Sequence, residues 1–418
     1  MKDDKTVAKE LFYAIKEDTV KVQNMDADTL YSKQMGDQTA LVTDYTFESL
    51  GLKPNLIESL FKTGIDKPLH IQKQAIPIIL SGNDCAFHSK SGTGKTIGFV
   101  LGILGRIQQG KGTQAIIITP TRELNIQVNS VISSLSNPLD ITVCCALREF
   151  RSDKVTNEVV IGCPAKIINL IDNGVISKEN LKMIVLDEAD QMISGRAFGA
   201  QTLKLLKMLG EVQKIFFSAT YAEKSKEAIC LISPKCSSFF KENAKADNIC
   251  LYQIEVENKK KIEVLKSLLE LLTVSQTIVF VGSRREVDHI AKVFEEDNFT
   301  VARLHGEIPN EARDEVLKKF STGQSKILVT TDVFSRGMDI PQVNLIVNYD
   351  LPQPKYGNAV EIYIHRIGRS GRFNRKGFVI DFITGTRDCE DLLDFHTKIG
   401  ENSKKFTIEA LMEVMTNE

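Results

Sequence analysis

"SKSGTGKT" (Ser89–Thr96) stands between a short apolar run, Cys85–His88, and the helical pattern "IGFVLGIL". Strand, glycine-rich turn and helix start form the context that a phosphate-binding loop requires. Gly92 and Gly94 let backbone N–H groups approach phosphate oxygens closely, and the helix N-terminus adds its partial positive charge. Ser91 and Thr93 lie in the same cradle. Lys95 has the reach for the outer phosphates of a nucleotide, and the Thr96 hydroxyl suits Mg2+. The general pattern has Gly where this chain has Ser89, so a plain glycine-rich turn is the competing reading. "IVLDEADQM" (Ile184–Met192) weighs against that alternative. Its apolar run ends in Asp187 and Glu188, which puts two carboxylates at the carboxyl end of a strand, where open α/β sheets bind ligands. Asp187 suits Mg2+ held through water, and Glu188 suits orienting an attacking water and taking its proton.

Outward from this pair, β-rich runs alternate with helical stretches, twice over. The first half reads as strands at Cys85–His88, Ala115–Thr119, Val159–Ile161, Met183–Leu186 and Ile215–Phe217. The second reads as strands at Thr277–Val281, Val301–Leu304, Ile327–Val329, Leu345–Asn348 and Phe378–Phe382. Such alternation predicts an α/β chain of two tandem, doubly wound parallel-sheet domains. "KENAKADN" (Lys241–Asn248) lacks apolar periodicity and reads as a flexible linker. The expected layout is a polar N-terminal extension over 1–45, an ATP-binding domain over 46–240, a linker over 241–249 and a second domain over 250–418. Within the extension, Val7, Leu11, Ala14 and Ile15 fall on one helix face.

The 418 residues are 42% apolar and carry a formal net charge of −1, enough apolar content for two cores and too little charge to draw in a polyanion by the whole-chain field. Any such partner has to be met by local charge. No apolar run is long enough for a membrane span, "MKDDKTVAKE" lacks the apolar stretch of a secretory signal, and the eight cysteines have no zinc-type spacing. Reduced thiols in the cytoplasm and nucleus are the expectation.

"HRIGRSGR" (His365–Arg372) supplies local charge: Arg366, Arg369 and Arg372 within seven residues. Arg369 and Arg372 suit a γ-phosphate, because phosphoryl transfer needs charge neutralised in place more than covalent help. A solvated basic patch is the competing reading, and Gly368 and Gly371 weigh against it by allowing close backbone approach.

At these residues the chain resembles the DEAD-box RNA helicases, over roughly 46 to 385 and in the family's motif order. "DEAD" is present letter for letter at Asp187–Asp190. The resemblance implies two RecA-like domains that close on ATP, Mg2+ and RNA, the RNA held through phosphates and 2′-OH groups without base reading. It implies that Gln72 reads adenine, that Phe47 stacks on it, and that Asp339 approaches the ribose. RNA contacts fall on Pro120, Thr121 and Arg122 of "PTRELNIQ", on Gly162, on Arg313 and on Thr331. Asp190, Ser218, Thr220 and His365 would couple hydrolysis to closure. Four places depart from the family pattern: "CPAK" (Cys163–Lys166) for TPGR, "CALREF" where a Gly-Gly pair is usual, "NEAR" (Asn310–Arg313) for QxxR, and Ile65 for Phe. These bear on RNA grip or base packing, not on hydrolysis.

The ten residues between "DLP" and "YIHRIGR" are similar to the longer connection of the subgroup that remodels messenger RNA at the nuclear pore. That likeness implies a monomer at the cytoplasmic face of the pore, with two partners: a propeller-type nucleoporin and an export mediator bound to inositol hexakisphosphate. A helicase of translation initiation or ribosome assembly, an RNA clamp that does not hydrolyse, a DNA translocase and a scaffold acting through residues 1–45 stay open at this point.

Overall fold

In the computed structural model, residues 3–23, 43–89, 92–194, 198–221, 223–240, 248–272, 276–334, 343–353, 358–371 and 376–416 are described. The chain divides into two compact units, 35–242 and a second made of 1–34 with 243–418.

The first unit holds seven strands: β1 (Cys85–His88), β2 (Ala115–Ile118), β3 (Val143–Ala146), β4 (Val159–Gly162), β5 (Met183–Asp187), β6 (Gln213–Ser218) and β7 (Ser237–Phe239). Their order is β3-β4-β2-β5-β6-β1-β7, with every pairing parallel. The second unit holds β8 (Ile249–Glu255), β9 (Gln276–Phe280), β10 (Val301–Leu304), β11 (Ile327–Thr330), β12 (Val343–Asn348), β13 (Gly377–Ile383) and β14 (Lys404–Lys405). Its order, β10-β11-β9-β12-β13-β8-β14, is that of the first sheet with seven added to every strand number. The two halves are one architecture built twice, as the alternation predicts.

Helices cover both faces of each sheet, so central strands read as continuous apolar runs rather than alternating ones. "AIII" of β2 is buried at every residue. Four apolar clusters result, one on each face of each sheet. Parallel order also brings every strand's carboxyl end to one edge, and the loops at that edge carry the chemistry.

The expected polar extension over 1–45 needs correction in its first part. Asp3 accepts the Thr6 N–H at 2.7 Å and caps the helix Asp4–Gln23. Val7, Leu11 and Ile15 recur every four residues and are buried in the second unit's core with Ala8 and Phe12, beside Leu268, Leu345 and Leu411. Ala14 is only partly buried. Asp18 and Thr19 are bonded by the buried Asn344 amide at 3.1 and 3.3 Å. The apolar face needed a partner, and the second domain supplies it. Of the expected linker, 241–247 lie outside the described residues, and β8 already begins at Ile249.

Candidate active site and nucleic-acid interface

The phosphate loop is sewn to the sheet before any ligand arrives. The Ser89 N–H donates to the Ser218 carbonyl at 3.0 Å, which ties the end of β1 to the end of β6. The Ser89 and Thr93 hydroxyls share a 2.6 Å hydrogen bond, giving the departing Ser a place in the loop's closure. Lys95 opens the helix Lys95–Arg106 and sends its Nζ back to the Ser89 carbonyl at 2.5 Å. Gly94 has φ 86°, and a Cβ there would lie 2.6 Å from Gln72 Nε2, so both backbone and space demand glycine. Thr96 is partly exposed in the first helical turn. Ser91 lies outside the described residues.

β5 ends in Asp187, and Glu188 follows with φ 58°. A left-handed non-glycine residue costs roughly 1–2 kcal/mol, and such strain collects at functional sites. The Glu188 N–H donates to the Asp187 carboxylate at 3.1 Å, and both side chains are buried. Burial first, and the Glu188 charge second, push the Asp187 carboxyl well above the usual carboxylate range, while Lys95 pulls it down. Asp190 accepts the Thr220 hydroxyl, and the Thr220 N–H donates to Ser218 Oγ at 3.2 Å. Three of the residues expected to couple hydrolysis to closure are therefore joined in one unit.

Gln72 sits beside the loop. Its Oε1 accepts the Leu69 N–H at 2.9 Å, and its Nε2 donates to the Gly94 carbonyl at 3.2 Å. An amide oxygen has a second lone pair and an amide nitrogen a second hydrogen, the pair that an adenine would need, although at 1% exposure the side chain must be uncovered before it can meet one. Gln72→Ala is expected to weaken ATP by roughly tenfold, the scale of two lost hydrogen bonds. GTP should weaken less, by the share owed to the Gly94 contact. Equal losses in titrations with both nucleotides would leave Gln72 as a loop support only.

Phe47 does not match its expected role. It is 1% exposed, inside the core with Leu50, Ile76 and Phe99, and shows no ring face to a nucleotide. Its large apolar ring is consumed in packing. The aromatic ring this segment does expose is Tyr45, with Lys73 Nζ 3.8 Å from its centre.

The first unit's RNA-contact residues gather at the same sheet edge. Pro120 is buried after β2, and the Thr121 hydroxyl caps the helix Arg122–Ser136 by accepting the Leu124 N–H at 3.3 Å. Arg122 pairs with Glu149. Asn125 ties this turn to the next strand, donating to Cys163 Sγ at 3.3 Å. Gly162 is buried at the end of β4, where a Cβ would lie 2.9 Å from Ile167 and 3.2 Å from the Ala146 carbonyl, so close packing accounts for its glycine. Ala165 of the departing "CPAK" is exposed.

In the second unit, Arg313 and Thr331 converge on the end of β10. Arg313 donates to the His305 carbonyl at 3.3 Å, and the Thr331 N–H to the Leu304 carbonyl at 3.4 Å. His365 lies in the helix Ala359–Ile367, and Arg369, just beyond it, donates its Nε to the His365 carbonyl at 3.1 Å. Asp339 and Arg372 lie outside the described residues.

A buried network that the motifs did not single out fixes this helix. Arg366 donates to Asp332 at 2.6 Å, to the Asn348 side chain at 3.0 Å and to the Asp350 carbonyl at 2.7 Å. Asp381 on β13 accepts from Asn348 at 2.7 Å and from the Tyr363 hydroxyl at 2.8 Å. Burial pushes the Asp381 carboxyl up to about 6, opposed chiefly by those two bonds. The signal was legible as charge inside apolar runs, Arg366 in "IHRI" and Asp381 in "VIDFI". Arg366→Ala strands buried polar partners and is expected to cost about 3–5 kcal/mol. An earlier melting transition of the full chain reads this out, and Arg366→Lys should lose less. An unchanged melt for Arg366→Ala would make the network inessential to the fold.

The comparisons show the family. The family model for DEAD/DEAH box helicases matches residues 69–228, and that for the helicase conserved C-terminal domain matches 260–374. The chain is 38% identical to the ATP-dependent RNA helicase FAL1 of Kluyveromyces lactis, over 81% of its own length and 87% of the relative's. It is similar in structure to S. cerevisiae Dbp5 bound to RNA and ADP BeF3, with TM-score 0.84 and 31% identity over 89% of this chain and 98% of that one. It is also similar to a point variant of S. cerevisiae Dbp5 bound to Nup159, a point variant of Gle1, IP6 and ADP, with TM-score 0.60 and 28% identity over 88% and 100% of the two chains. Phosphate loop, paired carboxylates, sheet order and these matches converge: the chain belongs to the DEAD-box family of ATP-dependent RNA helicases, and it is an ATP hydrolase.

Proposed function

We propose that ATP and RNA together close the two units on one another, that closure bends a single strand and pries apart short duplexes or RNA–protein contacts, and that the substrate is messenger RNA leaving the nucleus. The observation that supports the cycle is that the cations expected to meet phosphate are divided between the units. Lys95 stands with Asp187 and Glu188 on the first unit, while Arg369 follows the helix Ala359–Ile367 on the second. An arginine brought in from a second domain can contribute on the order of 10³–10⁵ in rate, and it acts only when the units meet. Arg372 would act with it. Hydrolysis and phosphate release then reopen the cleft.

Mg2+ is the expected companion of ATP. Asp187 and the Thr96 hydroxyl are oxygen donors of the kind a hard cation takes. The push on the Asp187 carboxyl is also what a nearby divalent charge would reverse. When bound, the ion would neutralise charge on the outer phosphates.

The export assignment rests on the long connection ahead of Ala359, of which 354–357 lie outside the described residues, and on the likeness to Dbp5. By that likeness the chain acts as a monomer at the cytoplasmic face of the nuclear pore, with a nucleoporin and an inositol-hexakisphosphate-bound mediator biasing open against closed. The 38% identity to FAL1 favours a second reading, a helicase of another RNA process. ATPase at sub-saturating RNA decides between them. Stimulation by the mediator with inositol hexakisphosphate supports export. No stimulation, with no nucleoporin retained in a pull-down, removes it.

A further inference from the structure

The loop that replaces the family's Gly-Gly pair holds an anion against an RNA-contact cation. After β3 the chain turns at 147–150, where the Phe150 N–H donates to the Leu147 carbonyl at 3.1 Å. Lys166 of "CPAK" pins this turn by donating to the Phe150 carbonyl at 2.8 Å, and Arg151 donates to the Arg148 and Phe150 carbonyls at 2.9 Å each. The turn is thereby set to present Glu149, whose carboxylate takes the Arg122 guanidinium. The Arg122 side chain is 17% exposed and the Glu149 side chain 51%. The arginine is mostly buried, while the carboxylate keeps its path to water.

A carboxylate and a phosphodiester present the same fork of oxygens to a guanidinium. Arg122 cannot give both of them its full set of N–H donors. We propose that Glu149 is a resident competitor which an RNA phosphate must displace from Arg122, so that it lowers RNA affinity and sets the RNA concentration at which ATP hydrolysis is stimulated. The inference rests on the RNA-helicase reading and on Arg122 meeting an RNA phosphate. It also assigns a role to two sequence departures: "LREF" supplies the competitor, and Lys166 is spent on holding the loop that carries it. Displacement is inexpensive, because the departing carboxylate is half exposed and returns to water.

The test measures affinity for single-stranded oligouridine with a non-hydrolysable ATP analogue, and the oligouridine concentration giving half-maximal ATPase stimulation. Glu149→Gln keeps the side chain's size and removes its charge. The dissociation constant and the half-maximal concentration should both fall by about two- to fivefold, the range of an exposed ion pair. Asp153→Asn, an exposed neighbour on the same loop, controls for the general field and should shift neither value comparably. In an Arg122→Gln background the effect of Glu149→Gln should vanish. An unchanged or weaker affinity for Glu149→Gln, or an equal gain for Asp153→Asn, overturns the inference. Wild-type chain that neither binds oligouridine nor responds to it would instead overturn the reading on which the inference rests.

Discussion

Lys95→Ala is expected to abolish ATP binding and, with it, RNA-stimulated hydrolysis. The ammonium is buried at the first residue of its helix and held 2.5 Å from the Ser89 carbonyl, so its position is set before nucleotide arrives. Hydrogen bonds to charged groups contribute about 1.5–3 kcal/mol each, and two such bonds to outer phosphates amount to a hundredfold or more in affinity, on the order of 10²–10⁴. A second loss adds to the first, because the Ser89 carbonyl loses the donor that holds the loop. Lys95→Met separates charge from packing by keeping most of the stem. Equilibrium titration with ATP should show the same collapse for both variants. Retained affinity in the Met variant would mean that the stem's packing, and not its charge, serves the site.

The hydrolytic half of the site was legible in sequence because its residues are adjacent along the chain. "SKSGTGKT" and "DEAD" each bring several groups to one strand end, and parallel order does the rest. Ten of the fourteen strands among the described residues were equally legible, nine of them as largely buried apolar runs and the edge strand β10 by its alternation of half-buried and buried residues. Of the four that were not, β3, β7 and β14 are sheet edges. β7 is exposed at all three residues and β14 is two exposed lysines, so neither carries an apolar signal. The fourth, β8, begins inside the stretch read as linker.

What stayed hidden depends on contacts between distant segments. The apolar face of Asp4–Gln23 was visible, but nothing local says that its partner lies some 250 residues away at Leu268 and beyond. Phe47 fits a motif position by spacing, yet its neighbours in space, Ile76 and Phe99, decide that it packs inward. Arg366 stands beside the phosphate-directed arginines of the same motif, but its own partners, Asp332, Asn348 and the Asp350 carbonyl, lie in other segments and leave no local signal. The pairing of Arg122 with Glu149 spans 27 residues, a helix and a strand, so the departure at "LREF" was visible while its consequence was not.

Glu188→Gln should keep ATP and RNA binding and stall the chemical step. Gln retains the shape of the side chain and the backbone turn at φ 58°, but it cannot take a proton from an attacking water. The expected loss in single-turnover hydrolysis is about 10²–10⁴-fold, the range for a general base. Removing one of two neighbouring carboxylates also removes the charge that, after burial, does most to push Asp187 up. Asp187 should therefore ionise more readily, and nucleotide binding should hold or tighten rather than weaken. If hydrolysis is what reopens the cleft, the variant should remain closed on ATP and RNA. Its release of labelled oligouridine should slow by up to the factor lost in hydrolysis, and by less where ATP itself dissociates first. Normal turnover in Glu188→Gln would remove Glu188 from the base role. Slow turnover with fast RNA release would keep the base role and uncouple hydrolysis from the step that frees RNA.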